Sequence, residues 1–599
     1  MKKFILLFLL IILSGFDLQC QKFCSDNGDG SYTNPVIYAD FPDPDVILVD
    51  SIYYMVTTTM FIFPGVTVLK SRDLVNWEYC ANVVERMEYS KCYNLDGCDR
   101  YSRGQWASSI KYWKGKFYIM FNTLDDGGFL CTADKPDGKW QIRRLSRGFH
   151  DPGLFFDGEE KIYVAHGYNN IYITELDTNF TPKGNDVLVY TGKIRPGLEG
   201  THVYKINGYY YLYCTYGGWD GFQVALRSKN IYGPYEKKVV LNDFGNLGTG
   251  IHQGALVPTV TGEWWTILMQ DGGPFGRFVT LQPVNWIDDW PIVGINGKGV
   301  VTYKKPNVGK NYSIKILPTS DEFNDSTLGL QWGWNHNPDK TKWSLIEKPG
   351  YLRLHTVKVV SNLKYARNNL TQRIFAYYTK NIPTVATAKF EIQNMKDGDI
   401  AGLAIFQDPY AFVGVKKRRD SIYVIMVNNG IIVDSIKYDE SIIYFRAIAD
   451  YGTNIATFNY SKDNNIFYKL GNQLEMKYNL SIFTGNKFCL FNYPTIQTGG
   501  YVDIDWFRVE PFLPVSLKDN SFNDIKIIYD ANGNLHISSE ILFKKIIISD
   551  IMGRKIFYKH LNEYKKSEKV KIELLEGVYI VTVLNENTIV SEKYFNFNK

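Results

Sequence analysis

None of the eight cysteines of this 599-residue chain falls in a Cys-x-x-Cys pair, so neither a zinc site nor a dithiol redox motif can be built from them. Basic residues form no stripe: 67 Lys and Arg against 62 Asp and Glu leave a net charge of +5, so no nucleic-acid partner is expected. No long segment repeats its apolar residues every 3.6 positions, which argues against a helical fold. Long hydrophobic runs are also missing. The one apolar stretch, Phe4 to Leu13 after Lys2 and Lys3, is too short to span a bilayer and reads as an export signal over residues 1–20. Its cleavage point is ill defined, because Leu18-Gln19-Cys20 lacks the usual small residues; Asp17, Leu18 and Gln19 also suit a lipid-anchored Cys20 badly. No membrane span is expected, and the mature protein should be secreted or held at the cell surface.

What the chain has in quantity is aromatic residues: 43 Tyr, 36 Phe and 13 Trp. These favour strands, and at about 150 residues per domain the length calls for three or four domains, fewer if one is a large β unit. Cys92 and Cys98 bracket a short loop and suit a disulfide outside the cytoplasm, whereas Cys131, Cys214 and Cys489 lie in apolar, strand-like segments and read as buried thiols.

One unit recurs along the first three hundred residues: a polar or aromatic residue, a short β-type run, a turn, and a second strand dense in aromatics. Copies open at Asp43, Trp106, Asp151, Glu199 and His252, each about a dozen positions ahead of Tyr54, Tyr118, Tyr163, Tyr210 or Trp265. A period of roughly 45 to 65 residues, with no helices between strands, predicts propeller blades. The fold class is therefore all-β: a five-bladed β-propeller over residues 34–303, a β-sandwich over 319–511 where short alternating strands take over, and a small Lys-rich β domain over 525–599. In a propeller the opening residues of the innermost strands point into one central funnel. Three of the five are carboxylates, and like charges sharing a cavity cost energy that turn formation does not require. That favours an enzyme, although Asp-Pro and Glu-Gly are also ordinary turn chemistry.

Several motifs in the same order give the chain a resemblance to the inverting propeller glycosidases of glycoside hydrolase family 43. They are Asn34-Pro35-Val36-Ile37 with Phe41-Pro42-Asp43-Pro44-Asp45, Phe63-Pro64-Gly65-Val66, Ser71-Arg72-Asp73-Leu74-Val75-Asn76-Trp77, His150-Asp151-Pro152-Gly153-Leu154-Phe155, Leu198-Glu199-Gly200 and Gly276-Arg277. The second domain, with Trp332 and Trp334-Asn335-His336-Asn337-Pro338, is similar to the concanavalin-like domain of the xylosidase branch, which shapes the mouth of the funnel in such relatives. The end of the chain, with Ser549 to Lys555 and Gly577-Val578-Tyr579, resembles type IX secretion sorting domains; a small carbohydrate-binding sandwich is the alternative.

The resemblance implies an exo-acting glycosidase that removes xylose or arabinose from plant cell-wall glycans, with Asp43 as base, Glu199 as acid, and Asp151 orienting the acid and keeping it protonated. Inversion needs acid and base roughly 6.5–9.5 Å apart, which carboxylates on different blades can provide. Asp45, two residues along the same strand, competes with Asp43 on periodicity alone. The resemblance makes Arg277 a ligand of substrate hydroxyls and puts His252 at the funnel floor. Trp106 is a candidate wall for one sugar face, with Phe61 and Phe63 nearby. No cofactor is required, and no metal is assigned; a structural calcium in the sandwich, near Asp321 or Asp505, suits that fold. Expected partners are a carbohydrate and the secretion machinery. Many family members carry Trp-Ala-Pro-Asp where this chain has Trp106-Ala107-Ser108-Ser109, a departure expected to affect subsite preference. A glycan-binding propeller without activity, and a retaining furanosidase, remain as alternatives.

Overall fold

The computed structural model describes residues 24–192, 197–377 and 382–512, and 525–529, 534–550, 555–572, 577–584 and 589–596 near the end; the proposed export signal lies outside them. Five four-stranded antiparallel sheets follow one another from Asp45 to Val293, each strand pairing with the next in sequence. Their first strands, Asp45–Val49, Ser108–Trp113, Gly153–Asp157, Leu198–Ile206 and Ile251–Pro258, neighbour one another in a closed ring, the fifth meeting the first. This is a β-propeller, with the repeats of the sequence as its sheets.

The aromatic-rich second strands are the most enclosed. Ile52–Thr57, Lys161–His166 and Tyr209–Tyr216 are buried along nearly their whole length, because each packs against neighbouring sheets on both faces. Outer strands such as Gln141–Arg144 are largely exposed and carry the charges. An N-terminal strap closes the ring. Ser31–Thr33 pairs with Thr302–Lys304, and the Asn34 amide donates to the carbonyls of Leu281 and Val300 while accepting from Leu281 N–H at 2.8 Å. The closure therefore begins before residue 34.

Around the axis the sheets are tied by buried polar groups. Asp45 of the first sheet accepts from Ile110 N–H (2.8 Å), Ser109 Oγ (3.1 Å) and Lys111 Nζ (3.1 Å) of the second, and stands 3.5 Å from His202 Nδ1 of the fourth. Ser109 Oγ also accepts from Leu154 N–H of the third. Burial raises the cost of the Asp45 charge, but His202 and Lys111 more than offset it and hold the carboxyl below its ordinary range.

The sandwich consists of two sheets built mainly from residues 332–511, whose inner faces enclose Trp332, Phe390, Phe445, Phe488 and Phe507. One strand of it comes from the propeller. Ile62–Phe63, between the second and third strands of the first sheet, pairs with Trp332–Asn335 and forms the edge of a sandwich sheet. The next residues lock into the propeller: His336 N–H donates to Phe61, Asn337 N–H to Tyr93, and Asn337 Oδ1 accepts from Met87 N–H. Cys92 and Cys98 are joined in a disulfide within that loop region, and Cys131, Cys214 and Cys489 are buried and free.

The polypeptide through Pro511 forms one compact unit and the segment from Phe512 a second. In the second, Asn534–Asp550 pairs by its first half with Ile525–Tyr529 and by its second half with Gly577–Leu584, while Lys555–Lys571 runs along it. Leu535, Ile537, Phe543, Ile546, Ile548, Val581 and Val583 make its core.

Candidate active site

Asp43 and Asp151 occupy matching places, each preceding a proline and the first strand of its sheet, and each has a left-handed backbone (φ 53° and 47°). Such a conformation costs about 1–3 kcal/mol and persists where the surroundings impose it. The fourth and fifth copies differ: the left-handed residues are Gly200 and Gln253, one position after Glu199 and His252, and both strands carry a bulge there. The common register of the repeats is thus locally broken, and Glu199 reaches the axis by a different backbone path from the two aspartates.

Asp43 is 6% exposed, and its Oδ1 accepts from Arg277 Nη1 at 2.8 Å. Arg277 opens the third strand of the fifth sheet, held there by its N–H bond to Asp40 Oδ1. The preceding Gly276 (φ 98°) could not carry a side chain, since a Cβ would lie 2.2 Å from the same oxygen. Burial pushes the Asp43 carboxyl up, Arg277 pulls it back and the Asp151 charge pushes it up again; the net direction is upward.

The second group gathers around His150. Its Nε2 stands 3.2 Å from Glu199 Oε2 and 3.8 Å from Asp151 Oδ2, while Asp151 Oδ2 also accepts from Gly200 N–H. Burial opposes charge on the imidazole, but Asp151 and Glu199 outweigh it and lift His150 to about 9. Burial likewise lifts Asp151 to about 6, with the Glu199 charge adding to it and His150 opposing. Glu199 Oε1 is accommodated by Gly217, where a Cβ would approach it to 2.6 Å. The two groups are near enough for Asp151 to act on Asp43, and Asp43 on His150.

The sandwich adds the aromatic cover. Phe483 stacks on Trp106 (centroids 4.9 Å, 26° between planes) and lies under the Arg277 guanidinium at 5.0 Å. Tyr478 meets Phe483 edge-on at 6.1 Å. Asp40 fastens this segment, accepting from Gly485 N–H (2.9 Å) and Lys487 Nζ (3.2 Å).

Several expectations change. Phe61 and Phe63 are each 1% exposed and packed against Tyr101, His336 and Tyr93, so the partner of Trp106 is Phe483 instead. Asp45 is consumed by ties between sheets, which removes it as a competitor for Asp43. Ser109 is fully buried in the same network, so the departure from Trp-Ala-Pro-Asp falls in the packing between sheets. His252 is 2% exposed with its ring against Gly221, on the strand pair opposite Met269, whose sulfur faces the Asp43 N–H. In the sandwich, Asp505 accepts from Lys389 at 2.6 Å, and Asp321 from Trp332 Nε1 and Phe323 N–H. His150 sat in a quoted motif without a role, and only its adjacency to Asp151 signalled one. Phe483, Tyr478 and Asp40 had no local signal, because they meet the site through packing between domains.

Two carboxyl groups from different sheets, one on a guanidinium and one on an imidazole and coupled through Asp151, match the paired carboxyl groups that a glycoside hydrolase uses. Comparison with known proteins agrees with the chemistry. The profile of glycosyl hydrolases family 43 matches residues 32–291, that of the beta xylosidase C-terminal concanavalin A-like domain residues 320–510, and that of a secretion system C-terminal sorting domain residues 528–595. The chain belongs to glycosyl hydrolases family 43. It is 32% identical over 558 residues to a beta-xylosidase of Formosa agariphila, across 81% of this chain and 91% of that one. It is 30% identical over 404 residues to a non-reducing end alpha-L-arabinofuranosidase, BoGH43B, of Bacteroides ovatus, across 63% and 74%. The solved bifunctional GH43-CE protein of Bacteroides eggerthii superposes with a TM-score of 0.74 at 34% identity, covering 85% of this chain and 67% of its own. No helix among the described residues is long and apolar enough to cross a membrane.

Proposed function

We propose that the protein is an inverting exo-glycosidase that removes terminal β-xylosyl or α-L-arabinofuranosyl residues from xylan, arabinoxylan or their oligosaccharides. The observation that carries this is the asymmetry of the carboxyl groups: Asp43 is bound to Arg277, and Glu199 to His150. Asp43 acts as the base that takes a proton from water, with Arg277 favouring its ionised form. Glu199 acts as the acid that protonates the leaving oxygen. Asp151 steadies the Glu199 region through His150 and Gly200. Arg277 holds the base, and its likeness to the family's arginine supports a role as donor to sugar hydroxyls; Trp106 with Phe483 forms the apolar wall, and His252 underlies the floor. Hydrolysis with water as nucleophile requires no cofactor; Asp321 and Asp505, the positions considered for a structural calcium, each accept from protein donors. The names of the relatives support a pentose as the sugar removed. An N-terminal export signal and recognition of the C-terminal domain by a type IX secretion machinery would deliver the enzyme outside the cell.

The test is a panel of 4-nitrophenyl β-xyloside and α-L-arabinofuranoside with proton NMR of the first-formed anomer. Pentose release with inversion is expected, abolished by Asp43→Asn and strongly reduced by Glu199→Gln in folded protein. Retention, or wild-type rates in either variant, would overturn the assignment.

A further inference from the structure

A carboxylic acid has two oxygens and one proton, and only the oxygen that faces the glycosidic bond can use it. Glu199 Oε2 is engaged by His150 Nε2 at 3.2 Å, whereas Oε1 points at Gly217. The imidazole is surrounded by acids: Asp151 at 3.8 Å, Glu199 itself, and Asp43 within electrostatic range, with the ring of Tyr168 edge-on at 5.9 Å; the bases of the neighbourhood are His166 with Arg147 behind it, and Arg277, which acts on Asp151 and Asp43. With Glu199 carrying its own proton, the Asp151 charge, aided by Asp43, still holds the ring protonated, so Nε2–H donates to Oε2.

We propose that His150 is a positioning residue that fixes the catalytic proton on Oε1 of Glu199. A carbonyl oxygen accepts from the N–H of His150 better than a hydroxyl oxygen does, so the donor at Oε2 favours the form with its O–H on Oε1. One charge-assisted hydrogen bond biases two such forms by about ten- to a hundredfold. Gly217 completes the device, because any side chain there would collide with Oε1. At the transition state the O–H bond at Oε1 breaks and the proton passes to the leaving oxygen; the C=O bond at Oε2 loosens into the delocalised carboxylate, and Oε2, now carrying more negative charge, keeps the donor it already had. His150 thus adds a donor that strengthens as charge develops on Glu199.

This inference rests on Glu199 being the acid, and its test separates the two. Glycosides of the cleaved pentose are compared with a leaving group that needs no proton, 2,4-dinitrophenol, and one that does, methanol. His150→Ala is expected to lose about ten- to a hundredfold in kcat on the methyl glycoside and little on the dinitrophenyl glycoside, and His150→Gln, whose amide can still donate to Oε2, to recover much of the loss. Equal losses on both substrates, or no recovery by His150→Gln, would overturn the positioning role. Glu199→Gln is run alongside. If it too loses equally on both substrates, the acid assignment has failed; if it alone discriminates between them, only the role of His150 has.

Discussion

Arg277 Nη1 and Asp43 Oδ1 meet at 2.8 Å in a buried pair that joins the last sheet of the propeller to the first. The guanidinium opposes the burial that would otherwise neutralise the carboxyl, and a base must be ionised to work. Arg277→Ala should therefore raise Asp43 further and lower kcat/KM by about two to four orders of magnitude, with the acid side of the pH profile moved to higher pH. Steady-state kinetics across pH would check both.

The wild-type profile should itself be bell-shaped. Asp151, lifted to about 6, must ionise to keep its hold on His150, so activity should fall as the pH drops through that value; His150, lifted to about 9, loses its charge as the pH rises past it. The two interact, so the limbs belong to the cluster rather than to single residues. Stability follows the same signs. His150 contributes stability that is complete below about 6.5, its unfolded value, and lost as pH climbs through 9. Asp151, raised rather than lowered, costs stability as pH rises from about 4 to 6. In thermal melts from pH 4 to 10 the contribution of this cluster should be greatest at the acid end and fall as pH rises, and in Asp151→Asn the loss between pH 4 and 6 should shrink.

Phe483→Ala should leave the fold intact while removing the face that Trp106 stacks on. The expected effect is a roughly five- to tenfold fall in kcat/KM, carried mainly by KM, from the lost ring and cation contacts. Phe483→Tyr should be close to wild type.

Asp40→Asn tests how the domains are held. It leaves the buried Lys487 ammonium without its carboxylate and weakens the bonds to Gly485 and Arg277, a change expected to cost about 3–5 kcal/mol in denaturant unfolding. Activity should fall at temperatures where the protein is still folded, because the strand start of Arg277 and the Phe483 segment share that anchor.

Much of this was legible in sequence order. The alternation of turn and aromatic strand announces the sheets, since a strand buried on both faces needs apolar residues at every position, and Asp43, Asp151 and Glu199 open their repeats. What stayed hidden is three-dimensional. The bulges after Glu199 and His252 add residues that no spacing rule marks. Asp45 and Asp43 share a strand face by periodicity, yet the left-handed turn at Asp43 sends one to Arg277 and the other between sheets. Phe483 lies more than two hundred positions from Arg277 and over three hundred from Trp106, and nothing local to an Ile-Phe-Thr-Gly loop says that it will lie against both.

The two-residue strand Ile62–Phe63 has a practical corollary for anyone dissecting the molecule. A truncation after residue 310 would strip the hydrogen-bonded neighbour from that strand and bare a sticky edge, while also unroofing Trp106. Shuffling with homologues should accordingly swap residues 24–511 as a single cassette, since chimeras cut at the connector would inherit mismatched halves of one sheet.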